Sequence, residues 1–303
     1  MKIKKVIKKK LIISSEHSLL KNWKNINGPV CFRVPSWIKR PLGKYYLLFS
    51  DHQGTYIRLA YSDNINSEWK ISKIKILEVT KFKKIIYDHI ASPEIYLDHK
   101  NKNVCVYFHS RSRRFGREQL TFVAVSKNGI DYKIKNKDPI APFYFRIFKH
   151  NNFYYGLTKG GDLFKSKNKF SKFKFIKNIF NKYGDKYHNQ KGSVRHLCVK
   201  NKKKYLEVFF TKIGHRPERI YRGILKFLKN ESYWSVKNLE EILRPTKIYE
   251  GSNLKINTSK SGRSKKIENA VRDPYILDDE NNTYLFYSVK GEKGIAFAKI
   301  IYE

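Results

Sequence analysis

The sequence predicts an all-β fold, a five-bladed β-propeller, on three observations. A common pattern of strands and turns recurs about every 50 to 75 residues, a spacing typical of propeller blades. Each repeat carries three clear strands, and four of the five carry a weaker fourth. No convincing long amphipathic helix interrupts the repeats, so a ring of small antiparallel sheets is the fold class that we expect.

Each repeat starts with a short apolar strand that carries a polar residue, continues through a turn and returns as an aromatic strand. In the first repeat VCFRVPSWI precedes KYYLLFS, and in the last VRDPYIL precedes TYLFYS. Three repeats also share a Ser-centred turn after the third strand, which suits tight hairpins. We therefore expect one propeller domain over 1–303, with blades at about 30–71, 89–134, 143–176, 194–236 and 271–303.

The fifth repeat reaches the end of the sequence after its third strand, at Glu303. Its outer strand must come from elsewhere if the ring is to close without an exposed sheet edge. The stretch around Ile3 to Ser14 precedes the first repeat and is not assigned to any blade. We expect this N-terminal strand to join the last blade and close the ring.

The chain has 303 residues with 64 Lys and Arg against 26 Asp and Glu, a net charge of +38. Lysine, asparagine, isoleucine, tyrosine and phenylalanine are abundant together, a pattern that AT-rich coding alone would produce. A field this positive favours anionic partners. The sequence has no helix-turn-helix, zinc-finger or RNP-like motif, so we expect no specific nucleic-acid partner.

No run of apolar residues approaches the roughly 20 needed to cross a bilayer, so we expect no membrane span. The basic N-terminus has an apolar stretch of only about four residues, shorter than the h-region of a secretory signal. We expect a cytoplasmic protein. Cys31, Cys105 and Cys198 are odd in number and widely spaced, which predicts buried free thiols and no disulfide framework or zinc site.

Polar residues concentrate at one end of the predicted propeller. In a four-stranded blade, the start of the first strand and the loop between the second and third strands lie at the same end. The candidates at or beside the inner-strand starts are Arg33, His89, Glu94, Arg146, Arg195, His196, Arg272 and Asp273, and those in the loops are His52, His109, His215, Glu218 and Arg219. The opposite end receives ordinary polar hairpins, so this asymmetry predicts a functional pocket.

Four arginines, Arg33, Arg146, Arg195 and Arg272, are expected to converge on the axis, where they would repel one another without anions between them. Guanidinium groups bind carboxylate, sulfate or phosphate in a bidentate manner. An anionic glycan is therefore the expected substrate, with the arginines and the pocket histidines as its ligands. In the alternative, each arginine pairs with a neighbouring acid. The histidines have no close-spaced ligand pattern, so we expect no metal or other cofactor, and a hydrated cation on the axis has no support in the sequence.

The motifs Ser92-Pro93-Glu94 and Arg272-Asp273-Pro274, together with second strands such as YYLLFS and YLFYS, resemble the five-bladed propeller glycosidases of family 43 and their fructan-cleaving and mannoside-phosphorolysing relatives. The resemblance implies an aspartate base in the first blade, a tuning acid in the second and a glutamate proton donor from a later blade. Glu94 matches the tuning acid, whereas Val34 stands at the expected base position and Arg195-His196 stand at the expected donor position. The match to the catalytic acids is incomplete.

A replacement set of acids is available: Asp273 as base, Glu218 as proton donor and Glu94 as tuning acid. In the alternative, Asp273 pairs with Arg272 or caps backbone amides, and Glu218 pairs with a neighbouring arginine. Inverting hydrolysis needs two carboxyl groups separated by about 6.5 to 9.5 Å.

The leading hypothesis is a glycoside hydrolase-like enzyme that acts on an anionic glycan or sugar conjugate by inverting acid/base hydrolysis. Two alternatives remain open: a noncatalytic propeller that binds an anionic glycan or a protein, and a sugar-transfer enzyme of polysaccharide synthesis. The missing carboxylate at Val34 favours binding without catalysis, whereas Glu94 and the Asp273 motif favour the enzyme.

Overall fold

The computed structural model describes residues 2–116, 118–180 and 191–303 and consists of five antiparallel β-sheets. Each sheet is one blade of a propeller, which confirms the predicted fold class. One short α-helix, α1 (Val79–Phe82), and 3₁₀ turns at Ser18–Leu20, Lys159–Gly161, Glu231–Tyr233 and Ile248–Glu250 lie between strands. No helix within the described ranges is long and apolar enough to cross a membrane.

The strands of the first two blades follow the chain from the inner strand outwards. Blade 1 contains β2 (Asn27–Arg33), β3 (Tyr45–Ser50), β4 (Tyr56–Ser62) and β5 (Lys70–Glu78). Blade 2 contains β6 (Ala91–Asp98), β7 (Asn103–Arg111) and β8 (Gln119–Ser126), and two short strands, β9 (Lys133–Ile134) and β10 (Ala141–Pro142), both pair with β8.

The remaining blades have four strands each. Blade 3 contains β11 (Arg146–His150), β12 (Phe153–Leu157), β13 (Asp162–Ser166) and β14 (Lys174–Asn178). Blade 4 contains β15 (Val194–Asn201), β16 (Tyr205–Lys212), β17 (Ile220–Lys226) and β18 (Val236–Leu243). Blade 5 contains β19 (Val271–Asp279), β20 (Asn282–Val289), β21 (Gly294–Tyr302) and β1 (Ile3–Ser14).

The N-terminal strand closes the ring as predicted. β1 pairs antiparallel with β21 over its whole length, from Ile3 opposite Tyr302 to Ser14 opposite Gly294. The expected bounds of this strand agree with those observed. The outer edge of β21 is therefore covered by the same chain.

Apolar clusters between neighbouring blades hold the ring together. On β3, Tyr46 and Leu48 face the core between blades 1 and 2, whereas Tyr45, Leu47 and Phe49 face the core between blades 5 and 1. All five side chains are buried, because a blade packs against a neighbour on each of its faces. Cys31, Cys105 and Cys198 are buried free thiols in these cores, as expected.

Bulges mark the starts of several inner strands. The pairing of β19 with β20 passes from Arg272↔Ser288 to Tyr275↔Phe286, so two residues on β19 oppose one on β20. Blades 1 and 2 have the same irregularity, which places Gly28 and Ser92 at the position equivalent to Asp273, each followed by proline. All three residues have positive φ, of 57°, 48° and 51° respectively. Bulges of this kind re-aim side chains and are common beside active sites.

The first inner strand begins earlier than the sequence pattern indicated. β2 starts at Asn27, not at Val30, so Arg33 is its last residue and lies at the opposite end of the propeller. There Arg33 forms ion pairs with Asp279 at 3.1 Å and Glu280 at 2.5 Å. The placement of Arg33 and Val34 near the pocket was wrong, and the residue of blade 1 equivalent to Asp273 is Gly28.

Candidate functional site

The inner strands bring ionisable side chains together where they begin. We use the term axial site for this end of the propeller axis, which includes His196 on β15, Asp273 on β19, and Tyr144, which directly precedes Phe145 and β11. These three residues come from three different blades. Their convergence was expected for His196 and Asp273, whereas Tyr144 was not a candidate.

His196 is held on two sides. Its Nδ1 contacts Oδ1 of Asp273, and its ring stacks on Tyr144 with a centroid separation of 4.6 Å and an interplanar angle of 23°. The His196 side chain is 12% exposed while its Nδ1 is buried, so the ring meets solvent through the edge that carries Nε2. Asp273 is only 2% exposed, and its second carboxylate oxygen, Oδ2, has no hydrogen-bond partner among the described residues.

Burial and the neighbouring charges set the protonation of this pair. Burial lowers the pKa of His196 below the usual histidine value, and this outweighs the opposing effect of Asp273. Burial alone would raise the pKa of Asp273, but His196, Arg195 and Arg272 together bring it below the usual aspartate range. At neutral pH the pair is therefore a neutral imidazole beside a carboxylate, with Nδ1–H donating to Asp273.

A cluster of buried charges lies behind this pair. Oε2 of Glu218 contacts the guanidinium groups of both Arg195, at 3.2 Å, and Arg272, at 2.7 Å. Oε1 of Glu292 contacts the same two arginines at 3.4 and 3.3 Å. Glu268 adds a further contact to Arg272 at 2.7 Å. We call these five residues the charge cluster; each of its arginines has at least two carboxylate partners.

Glu292, on the loop between β20 and β21, was not among the candidate residues of the sequence analysis. Glu292 is fully buried and has a φ of 72°. Burial would raise the pKa of Glu292, but His52 and Arg272 counter this and bring it to about 2. The available signal was an acid on a loop of the pocket end in a strongly basic chain, directly beside Gly291.

Arg146 and Glu94 form a second buried pair. Nη1 of Arg146 donates to Oε2 of Glu94 at 3.0 Å and to the carbonyl of Pro93 at 2.7 Å. Its Nε donates to the carbonyl of Leu197 at 3.0 Å, and its Nη2 donates to the hydroxyl of Tyr144 at 2.9 Å. Burial raises the pKa of Glu94 to about 7 even though Arg146 opposes the shift. This pair joins blades 2, 3 and 4 at the axis.

The inner arginines are therefore not free to bind an anion. We expected Arg146, Arg195 and Arg272 to require anions from a ligand, but buried carboxylates of the chain already supply them. The alternative of internal pairing is the one that the structure shows. Glu218 and Glu292 come from loops, and no local pattern in the sequence reveals the path of these loops into the axis.

Glu218 does not reach open solvent. Its side chain is fully buried, its Oε2 is occupied by two guanidinium groups, and its Oε1 is also buried. This geometry does not suit the proton donor that the sequence analysis predicted. Glu218 instead fixes the positions of Arg195 and Arg272 behind the His196–Asp273 pair.

The expected histidines divide into two groups. His52 lies 3.7 Å from Oε2 of Glu292, at the axial site. His89 and His109 pack edge to face with centroids 5.5 Å apart, and Nδ1 of His89 lies 2.8 Å from Asp88. Burial lowers the pKa of His109 well below the usual value, which makes it a neutral donor or acceptor.

His215 and Arg219 lie apart from these groups. His215 packs edge to face on Tyr221 with centroids 5.1 Å apart, and Arg219 pairs with Glu241 of the outer strand β18 at 3.3 Å. Both side chains therefore contact outer parts of blade 4. The structure does not bring them to the axial site.

Lys159 is a further residue that the candidate set omitted. It lies in the 3₁₀ turn between β12 and β13, at the same end as the axial site, and is partly exposed. Burial and the neighbouring Arg195 lower the pKa of Lys159 to about 8. The amino group of Lys159 is therefore protonated at neutral pH and loses its proton at slightly higher pH.

Within the described ranges, no group of three or more His, Cys, Asp and Glu side chains is arranged to hold a metal ion. The axial site offers a different donor set: a partly exposed imidazole held by a carboxylate, and a lysine with a lowered pKa. Such groups transfer protons between a ligand and solvent.

Comparison with known proteins finds a relative by sequence. No family model matches this chain. An uncharacterized protein of Acanthamoeba polyphaga mimivirus is 32% identical over 300 residues, covering 91% of this chain and 83% of the relative.

Solved structures share the fold at much lower identity. The RGII complex of BT0996 has a TM-score of 0.66 at 13% identity, over 98% of this chain and 92% of the other. An α-L-arabinanase of Cellvibrio cellulosa complexed with arabinohexaose has a TM-score of 0.62 at 13% identity, over 92% and 93%. A thermostable family-43 glycoside hydrolase has a TM-score of 0.62 at 12% identity, over 92% and 90%. The chain has the propeller fold that these three structures share.

Proposed function

We propose that this chain, which belongs to the same family as the uncharacterized mimivirus protein, is a glycosidase-like enzyme that hydrolyses a glycan at the axial site. The observation that carries the proposal is the contact of His196 with Asp273, which presents one edge of the imidazole to solvent. The likeness in fold to family-43 glycosidases supports a carbohydrate ligand.

In this mechanism His196 is the general base and Asp273 is its positioning residue. Asp273 accepts the Nδ1–H bond and so leaves Nε2 unprotonated, as required for a proton acceptor. Nε2 takes a proton from water as the water oxygen forms its bond to the anomeric carbon. The bond between that carbon and the glycosidic oxygen breaks in the same step. This replaces our prediction that Asp273 is itself the base, because both of its carboxylate oxygens are buried.

The leaving oxygen needs a proton, and Lys159 is the proposed donor. Its pKa of about 8 keeps it protonated at neutral pH, and it is partly exposed at the axial end. Glu94 also has a pKa near neutrality, about 7, but it is buried against Arg146. Glu94 is therefore proposed to act indirectly. It accepts a hydrogen bond from Arg146, Arg146 donates to the hydroxyl of Tyr144, and the ring of Tyr144 stacks on His196.

An anionic glycan remains the proposed substrate, on different grounds from those of the sequence analysis. The inner arginines are already paired with carboxylates of the chain and do not support an anionic substrate. The net charge of +38 supports it, because a positive field raises the local concentration of anionic ligands.

Turnover is the test. Purified protein is incubated with matched neutral and uronate- or sulfate-bearing glycosides, and reducing ends are measured. On any substrate that reacts, His196→Gln and Asp273→Asn should lower kcat by about 10²- to 10⁴-fold, the usual contribution of general base catalysis. A matched control is His215→Gln, a histidine outside the axial site, which should retain activity.

A noncatalytic glycan-binding propeller is the second candidate. The observation that favours it is the pairing of Glu94 and Glu218 with arginines, which leaves neither as a free catalytic carboxylate. If no glycoside of the panel reacts while a glycan binds and His196→Gln weakens that binding, this second function replaces the first.

A further inference from the structure

A groove of about 1050 Å³ runs along the side of the propeller between blades 2 and 3. One end is formed by the loop between β7 and β8, which lies at the axial-site end, and the other by the segment before β14 at the opposite end. Phenylalanines dominate its walls: Phe115, Phe164, Phe170, Phe173 and Phe175. The groove is thus continuous with the end of the molecule that holds the axial site.

Two of these rings are open to solvent. Phe115 is 48% exposed and Phe175 is 59% exposed, whereas most phenylalanines of the chain are in the core. Phe175 stands edge to face on Phe164 with centroids 5.5 Å apart, so its ring is supported from beneath. Two exposed aromatic rings on one groove, one of them packed on a buried ring, indicate an interaction surface.

On the blade 3 side the groove is lined by two lysines and by no acid. Lys172 and Lys174 line the groove and are exposed, and the described part of the chain offers neither of them an ion-pair partner. Lys165 and Lys169, by contrast, are paired with Glu231 and Asp98.

The axial-site end of the groove has a different chemistry. Glu118 and Asp138 line it there, and Asp138 is paired with Arg114 at 2.6 Å. Exposed carboxylates accept hydrogen bonds from hydroxyl groups, which a sugar chain carries on every ring. The groove therefore combines apolar rings, hydroxyl acceptors and, on the blade 3 side, unpaired lysines, a combination that fits a hydroxyl-rich sugar chain bearing acidic groups.

We propose that this groove is a second, noncatalytic binding site for an extended anionic glycan. Sugar rings pack on Phe115 and Phe175, hydroxyl groups donate to Glu118, and carboxylate or sulfate groups pair with Lys172 and Lys174. The inference rests on the proposed function, since the groove would hold a long chain whose other part reaches the axial site.

Binding of dextran sulfate, with unsulfated dextran of the same length as the neutral match, tests the groove directly by titration calorimetry. The groove variant is Phe175→Ala with Lys172→Gln and Lys174→Gln. The matched control, Tyr233→Ala with Lys5→Gln and Lys9→Gln, removes one exposed aromatic ring and two exposed lysines elsewhere. All six positions are exposed, and unchanged melting temperatures verify that both variants fold.

The groove variant should bind dextran sulfate at least about tenfold more weakly than wild type, while the control changes by less than about threefold. Equal losses in both variants would overturn the inference, because the net charge alone would then explain the binding. The same titrations are made with His196→Gln and with oligo(dT). If dextran sulfate affinity fell only in His196→Gln, the inference would be overturned and the glycan would bind at the axial site only. If the groove variant lost affinity for oligo(dT) but not for dextran sulfate, the groove would be a nucleic-acid surface instead. A loss in the groove variant without turnover of any glycoside supports the groove site and refutes the proposed hydrolase.

Discussion

Nδ1 of His196, on the inner strand of blade 4, contacts Oδ1 of Asp273, on the inner strand of blade 5. The contact joins two blades at the axis and fixes the Nδ1 edge of a partly exposed imidazole. Asp273 reaches this position through a bulge in which its φ is 51°. Positive φ at a residue before proline is uncommon, and strained positions of this kind cluster at functional sites.

The pH dependence of turnover is the first prediction. His196 must be neutral to accept a proton, and its pKa is lowered from 6.5, chiefly by burial, among the neighbouring charges of Asp273, Arg195 and Glu218. Activity should therefore rise with pH through a value below 6.5. It should fall again near pH 8, where Lys159 loses its proton.

Lys159→Met separates the two limbs of this profile. The variant should lose most of its activity and also lose the fall near pH 8, while the acidic limb stays in place. An unchanged alkaline limb in Lys159→Met would assign that limb to another group.

The second prediction concerns the Arg146–Glu94 pair. Glu94→Leu leaves the guanidinium of Arg146 buried without its carboxylate, which should lower the free energy of unfolding by about 3 to 5 kcal/mol. The double variant Glu94→Leu, Arg146→Met should recover much of this loss, because it removes both charges. Urea denaturation is measured for the wild type, the single variants Glu94→Leu and Arg146→Met, and the double variant. A double variant whose loss equals the sum of the two single losses would show that the pair is not coupled.

Ring closure gives the third prediction. Removing residues 1–15 should expose β21 along its whole length, lower the melting temperature and cause aggregation. The variant Lys4→Gln, Lys9→Gln changes only exposed side chains of β1 and should remain monomeric. Size-exclusion chromatography and thermal melting compare the proteins. A truncated chain that is monomeric with unchanged melting would show that β1 does not stabilise the ring.

The fold could be predicted because each blade repeats a local pattern. Alternating apolar residues such as Leu47 and Leu48 face two different cores, so the strand pattern recurs in every blade. The N-terminal strand was predictable for the same reason, since the last repeat was one strand short. The ends of the inner strands were harder to predict, because bulges break the alternation of buried and exposed residues. In blade 1 the predicted strand started at Val30 although β2 starts at Asn27, and Arg33 was therefore placed at the wrong end.

The site was harder to predict because its decisive contacts are long-range. Which of the candidate acids meets which arginine depends on loop paths, and Glu292 reaches Arg195 across 97 residues of sequence. Tyr144 was missed because nothing local distinguishes it from the core aromatics beside it. The sequence supplied His196 and Asp273 as separate candidates, whereas their contact is visible only in the structure.

The protonation state of His196 tests the account most directly and needs no substrate. Long-range ¹H–¹⁵N NMR on histidine-labelled protein, with His196→Gln to assign the signal, reports which ring nitrogen carries the proton. We predict a neutral imidazole at pH 7, protonated at Nδ1 and bare at Nε2, with a pKa below 6.5, and loss of this tautomer preference in Asp273→Asn. An imidazolium at pH 7, or a neutral ring protonated at Nε2, would contradict the role of His196 as the general base.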